Sequence, residues 1–137
     1  MRLLPIITQS PEAYLAVINE RIPAMKTFLS IGTGPGMGLE TAERFAREGF
    51  RVILSARTLD KVKALAQALQ SKGFTAEARS VDAGNGASVA ALVNSVLKDH
   101  GSIDVLHYNA AALHGDTVLS QALDTFNTDL AVNIGGA

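Results

Sequence analysis

The stretch Gly32-Thr33-Gly34-Pro35-Gly36-Met37-Gly38 has the composition of a loop that holds phosphate. Without Cβ atoms the main chain can approach a ligand closely, and unusual backbone angles cost little. The apolar run Thr27-Phe28-Leu29-Ser30-Ile31 precedes the loop and reads as a buried strand; an amphipathic helix pattern comes after it. A helix that begins at such a loop offers free N–H groups and a partial positive charge to an anion. The spacing G-x-G-x-x-G fails from Gly32, because Met37 stands where the third glycine is needed. The spacing G-x-x-x-G-x-G fits, at Gly32, Gly36 and Gly38. A flexible surface turn is the alternative, and the alternation of strands and helices downstream argues against it.

No other residues have the spacing of a metal centre. His100, His107 and His114 lack the i,i+4 interval of a helical site, and the chain has no cysteine. No metal is expected, and neither is a disulfide framework. His100 reads as a cation at a helix C-terminus, His107 as a strand side chain and His114 as part of a loop bordering a cleft.

The elements that must position the loop are legible in order. A helix is predicted from about Met37 to Glu48, with Leu39, Ala42, Phe45 and Ala46 inward and the pairs Glu40–Arg44 and Glu43–Arg47 on a solvated face. Arg51–Ser55 is a nearly continuous apolar run, as a parallel strand covered on both faces requires. A second helix is predicted over Leu59–Ser71, with Val62, Leu65, Ala66 and Leu69 buried, then a weakly patterned strand near Thr75–Val81. A third helix near Ala87–Lys98 buries Val89, Leu92, Val93 and Val96 and stops at Gly101. The fourth strand is Ile103–Tyr108, and a last helix runs from about Leu119 into Ile134, with Leu123, Phe126, Leu130 and Ile134 on one buried face. Residues 1–24 stand outside this pattern. Ser10-Pro11-Glu12 reads as a helix start, with Tyr14, Ile18 and Ile22 as a stripe and Pro23 as the stop. They are expected to be an extension on the domain formed by residues 25–137.

Composition narrows the function classes. The 137 residues suffice for one domain with a core, and 47% hydrophobic with 18% charged residues describes a globular chain. A formal net charge of -1 and no basic tract give no footprint for nucleic acid or an anionic membrane. No apolar run approaches the roughly 20 residues that span a bilayer. Pro5 interrupts the apolar start of the chain, so it does not read as a signal peptide, and the expected compartment is the cytoplasm.

From Met25 onward the chain resembles the short-chain dehydrogenase/reductase family, on the glycine spacing and on the motifs that end its later strands. The family has Thr before the first glycine where this chain has Ile31, a change expected to loosen the loop without altering its spacing. The resemblance implies an α/β fold, a Rossmann-like three-layer domain with a parallel sheet in the order 3-2-1-4, truncated after its fourth strand and the next helix. It implies a nicotinamide dinucleotide held by Gly32, Gly36, Met37 and Gly38. At the end of the second strand NAD-binding relatives carry an acid that bonds the ribose 2′-hydroxyl; here Ala56 stands there, followed by Arg57 and Thr58. An arginine grips a 2′-phosphate that an acid would repel, which favours NADP(H) over NAD(H). An ordinary solvated arginine is the alternative. Asp82-Ala83 matches the family's adenine contact, although Asp82 could simply open the turn at Gly84-Asn85-Gly86. Tyr108-Asn109-Ala110-Ala111 resembles the Asn-Asn-Ala-Gly signature, matching at Asn109 and Ala110. Asn133 falls in the register of the catalytic asparagine that holds a water in the proton relay; otherwise it is a polar residue before the Gly135-Gly136 stop.

The family's hydride transfer between nicotinamide and a carbonyl or alcohol also needs a serine and a Tyr-x-x-x-Lys pair. Tyr14 and Tyr108 are followed four positions later by Ile18 and Ala112, so neither makes that pair. The leading expectation is therefore the cofactor-binding half of an NADP(H)-dependent oxidoreductase, inactive by itself, with a small carbonyl or alcohol as substrate of the completed enzyme. The alternative is a non-catalytic nucleotide-binding or interaction module. The last helix is the candidate face for a second copy, and the fourth strand is expected to expose apolar edge or face.

Overall fold

The computed structural model describes residues 10–12, 24–117 and 119–137. The helix expected over Tyr14, Ile18 and Ile22 lies outside the described residues. The elements run β1 (Thr27–Ile31), α1 (Met37–Arg47), β2 (Arg51–Ala56), α2 (Leu59–Ser71), β3 (Ala76–Ser80), α3 (Gly86–His100), β4 (Val105–Tyr108) and α4 (Leu123–Leu130). A π-helical turn over Ala131–Gly135 continues α4. The strands form one sheet in the order β3-β2-β1-β4, every pair parallel. This is the expected Rossmann-like topology.

The alternation of side chains along each strand builds two cores. Phe28, Val52 and Leu54 share one face with Ala42 and Ala46 of α1 and Val62, Ala66 and Leu69 of α2. Leu29, Ile31 and Ile53 share the other with Leu92 and Val96 of α3. β1 is buried along its whole length and β2 over Val52–Ser55, which is why both read as unbroken apolar runs. Each large side chain taken out of water contributes about 1.5–3 kcal/mol before entropy is counted. Register ties the layers together: Ile31 pairs with Ser55 on one side and Tyr108 on the other, so three strand ends open at the same level.

Local chemistry places the helices. Asn85 caps α3, its Oδ1 accepting from the N–H groups of Ala87 at 3.0 Å and Ser88 at 3.2 Å. Gly101, at φ 81°, ends that helix as expected. On α1 the expected Glu40–Arg44 pair is replaced by Arg44–Glu48 at 2.7 Å. Glu43 is not solvated: it is buried and holds both Arg47 at 2.7 Å and Lys72, just past α2, at 2.6 Å. The edge strand β3 carries a charge cluster, with Glu77 near Arg51, Arg79 and His100, and Arg79 on Asp99. Such charges blunt an edge that would otherwise pair with another strand. Burial raises the Glu77 pKa, but the hydrogen bond from Arg79 and the close approach of His100 outweigh it and hold the carboxyl below its usual range.

The last helix differs most from expectation. It begins at Leu123, and its apolar residues are not buried: Leu123 is 71% exposed, Ile134 69%, and Phe126 and Leu130 are also open. The stripe has the expected period, but its side chains stay largely exposed among the described residues. Leu106, on the open edge strand β4, is likewise 55% exposed.

Candidate functional site

The glycine loop leaves β1 at the mouth of the sheet. Gly32 adopts φ 85°, and a Cβ there would overlap the backbone of Ala110. The Asn109 amide donates to the Gly32 carbonyl at 3.1 Å, while the Asn109 N–H continues the ladder to Ile31 at 2.8 Å. So Asn109 and Ala110 brace the first glycine, a reason for their identity that needs no ligand. Further along, the N–H groups of Leu39 and Glu40 turn back to Gly34 and Gly36, each at 3.1 Å. Among the described residues no backbone acceptor takes the N–H groups of Met37 and Gly38, the first two of α1, which is the arrangement an anion would use. A Cβ on Gly38 would crowd Thr33 Cα at 3.1 Å, so the third glycine lets the helix approach the loop.

Beside this loop lies a cleft of about 470 Å³. Of the predicted cofactor residues, Gly32, Arg57, Asp82, Ala83, Asn109 and Ala110 line it. Gly36, Met37, Gly38 and Thr58 lie outside its lining, at the first turns of α1 and α2. Arg57 is exposed, stands directly after β2, and makes no ion pair among the described residues. Asp82 does open the turn, its Oδ1 accepting from the Gly84 N–H at 3.0 Å, yet it also lines the cleft. The turn and cleft readings are compatible, because a carboxylate has lone pairs for both.

The far wall is the segment after β4, and side chains of α4 hold it. Asn133, in the π-helical turn, accepts from the Ala112 N–H at 2.8 Å and donates to the Ala112 carbonyl at 3.1 Å. Four residues earlier, Asp129 Oδ1 lies 2.7 Å from His114 Nε2, a close contact without hydrogen-bond alignment, while Gln121 donates to Oδ2 at 2.7 Å. Tyr108 donates to the Val132 carbonyl, and burial raises its phenol pKa. The interval of four along α4 meets the interval of two along the extended segment, so Asp129 and Asn133 fasten His114 and Ala112 side by side. Sequence reasoning missed Thr33, Ala112, Thr128 and Val132 as wall residues and saw His114 only as a neighbour of the cleft. The i,i+4 pair Asp129/Asn133 was the available signal.

A parallel sheet with its glycine loop, helix N-terminus and cleft at one mouth defines a nucleotide-binding Rossmann domain. The family model described as short chain dehydrogenase matches residues 26–137, and the chain belongs to that family. A short-chain reductase, NovJ, of Streptomyces niveus is 37% identical over 106 residues, which cover 77% of this chain and 40% of that protein. An uncharacterized oxidoreductase of Bacillus subtilis, YxbG, is 33% identical over 112 residues, 81% of this chain and 41% of the other. Among solved structures, a metagenomic short-chain oxidoreductase in complex with NADP superposes with a TM-score of 0.77 at 28% identity, covering 81% of this chain and 51% of that one. A variant of actinorhodin polyketide ketoreductase with NADPH gives 0.72 at 29% identity, covering 80% and 43%. The chain thus spans about two fifths to one half of the length of these relatives. Among the described residues no helix is long and apolar enough to cross a membrane, and no cluster of groups could hold a metal ion.

Proposed function

We propose that this chain binds NADP(H) as the dinucleotide-holding half of a short-chain oxidoreductase. The observation that carries the choice of NADP is Arg57: an exposed guanidinium without an ion pair among the described residues, on the cleft, beside Ala56 where an acid would exclude a 2′-phosphate. Met37 and Gly38 offer N–H groups to the diphosphate, and Asp82 and Ala83 border the adenine end. The bound cofactor supplies hydride chemistry toward a carbonyl or alcohol; this chain's residues bind and orient it. Asn133 sits in the register of the relay asparagine, but its amide oxygen and nitrogen are both engaged by Ala112. Its role in this reading is to set the wall beside the nicotinamide end. Residues 1–24 are an extension to this unit, and the open face of α4 is its self-association surface.

Calorimetric titration tests the reading. NADP(H) should bind at least about tenfold tighter than NAD(H), the worth of one charge-assisted contact. Replacing Ala56 by Asp and Arg57 by Leu should invert that order. No binding of either dinucleotide would overturn the proposal. A non-catalytic nucleotide-binding or interaction module is the second reading. Carbonyl-dependent NADPH oxidation by the purified chain would exclude it.

A further inference from the structure

The base of the glycine loop contains a knot of buried hydroxyls that the binding reading does not use. The Ser30 carbonyl accepts from Ser55 Oγ at 2.6 Å and from Thr33 Oγ1 at 3.3 Å. Thr33 Oγ1 in turn accepts from the Ser55 N–H at 3.2 Å. The Ser55 carbonyl takes two loop N–H groups, Gly32 at 2.8 Å and Thr33 at 2.9 Å. Ser30 and Ser55 are fully buried and Thr33 is 5% exposed. At this level, then, the β1–β2 ladder passes from main chain to a side chain, and that side chain belongs to the loop. Thr33 is also the residue against which Gly38 packs, and it lines the cleft. One side chain therefore joins β1, β2, the loop and the first turn of α1.

We propose that Thr33 is the positioning residue of the phosphate loop: its hydroxyl, bound between Ser30 and Ser55, holds the loop N–H groups in the arrangement that receives a diphosphate. The physical case is entropic. Four of the seven residues from Gly32 to Gly38 are glycine, so an untethered loop would lose much conformational freedom on binding. A pin that orders the loop beforehand removes that cost from the binding step. In this proposal the hydroxyl at Thr33 supplies, two residues later, a tether that Ile31 at the strand end cannot provide.

This inference rests on the dinucleotide reading, and the test separates the two. NADP and 2′-AMP are titrated into the wild-type chain and the variants Thr33→Val and Thr33→Ser. The first ligand needs the loop; the second carries the 2′-phosphate to Arg57 without a diphosphate. Valine keeps the volume and removes the hydroxyl, and serine keeps the hydroxyl. Thr33→Val should weaken NADP about tenfold, as expected for lost hydrogen bonding, and leave 2′-AMP within about twofold. Thr33→Ser should bind NADP as the wild type does. Unchanged NADP affinity in Thr33→Val, equal losses for both ligands, or a serine variant as weak as the valine one would overturn the role of Thr33. Failure of the wild type to bind either ligand would overturn the dinucleotide reading itself, and the pin's role with it. Should Thr33→Val not fold, the Ser55 amide decides: slow hydrogen exchange must persist in both wild type and Thr33→Ser. Its loss in the serine variant with NADP affinity intact would overturn the proposal.

Discussion

At the residue scale, Gly32 shows how one position can serve fold and site together. Its φ of 85° lies in the region that L side chains avoid, and the space a Cβ needs is taken by Ala110 backbone. Gly32→Ala should cost about 2–4 kcal/mol, combining strain with displacement of the segment after β4. Gly34→Ala should cost under about 0.5 kcal/mol, because nothing lies within 4 Å and its φ is not positive. Urea unfolding of the two variants measures the difference, and equal losses would show that the loop tolerates a side chain at its first glycine. The spacing of Gly32, Gly36 and Gly38 was legible in the sequence because glycine has few reasons to recur so tightly. The hydroxyl of Thr33 was not legible. Its partners, Ser30 and Ser55, come from two strands, and only their register brings them together.

At the element scale, two helices are joined by a carboxylate that reads as a surface charge. Glu43 looks solvated because its neighbours in sequence are charged, yet β2 draws α1 and the end of α2 together over it. Hydrogen bonds from Lys72, then Arg47, hold its carboxyl below the usual carboxylate range. A depressed folded-state pKa contributes stability that is present above the unfolded value, about 4.3, and is lost as pH falls through the folded one. Glu43→Gln should therefore lower Tm at pH 7, and the gap from wild type should close in acid. A gap unchanged at low pH would mean that the charge contributes nothing. The Asn133 pair with Ala112 is the corresponding joint between α4 and the cleft wall. Asn133→Asp keeps the acceptor but sets a carboxylate against the Ala112 carbonyl, at a cost of about 1–3 kcal/mol. Urea unfolding of variant and wild type measures that loss, and unchanged stability would remove Asn133 from this role. The helices α1 to α3 could be placed from periodicity because each buries its stripe on the sheet. Periodicity cannot say whether a stripe finds a partner, which is why α4 was legible as a helix, starting at Leu123 rather than near Leu119, while its burial was not.

At the scale of the molecule, the sheet is covered on both faces around β1 and β2 and open around β4. Leu106 on the edge strand, together with Leu123, Phe126 and Leu130 on α4 and Ile134 in the turn that continues it, leaves apolar side chains exposed. The charged edge at β3 shows the contrast, since that end of the sheet carries its own protection. Apolar surface of this kind lowers the free energy of any contact that covers it, including contact between copies. A C2 pair would set the same helix against itself, so each substitution acts twice. The isolated chain should therefore associate as its concentration rises, read as a growing sedimentation coefficient. Phe126→Lys with Ile134→Lys should hold it monomeric over the same range. The NADP dissociation constant of that variant should stay within about twofold of the wild type, because neither residue lines the cleft. A wild-type chain that stays monomeric at every concentration would remove α4 as an association face. Lost NADP binding in the lysine variant would instead show that this surface and the cleft are coupled through the wall that Asp129 and Asn133 hold.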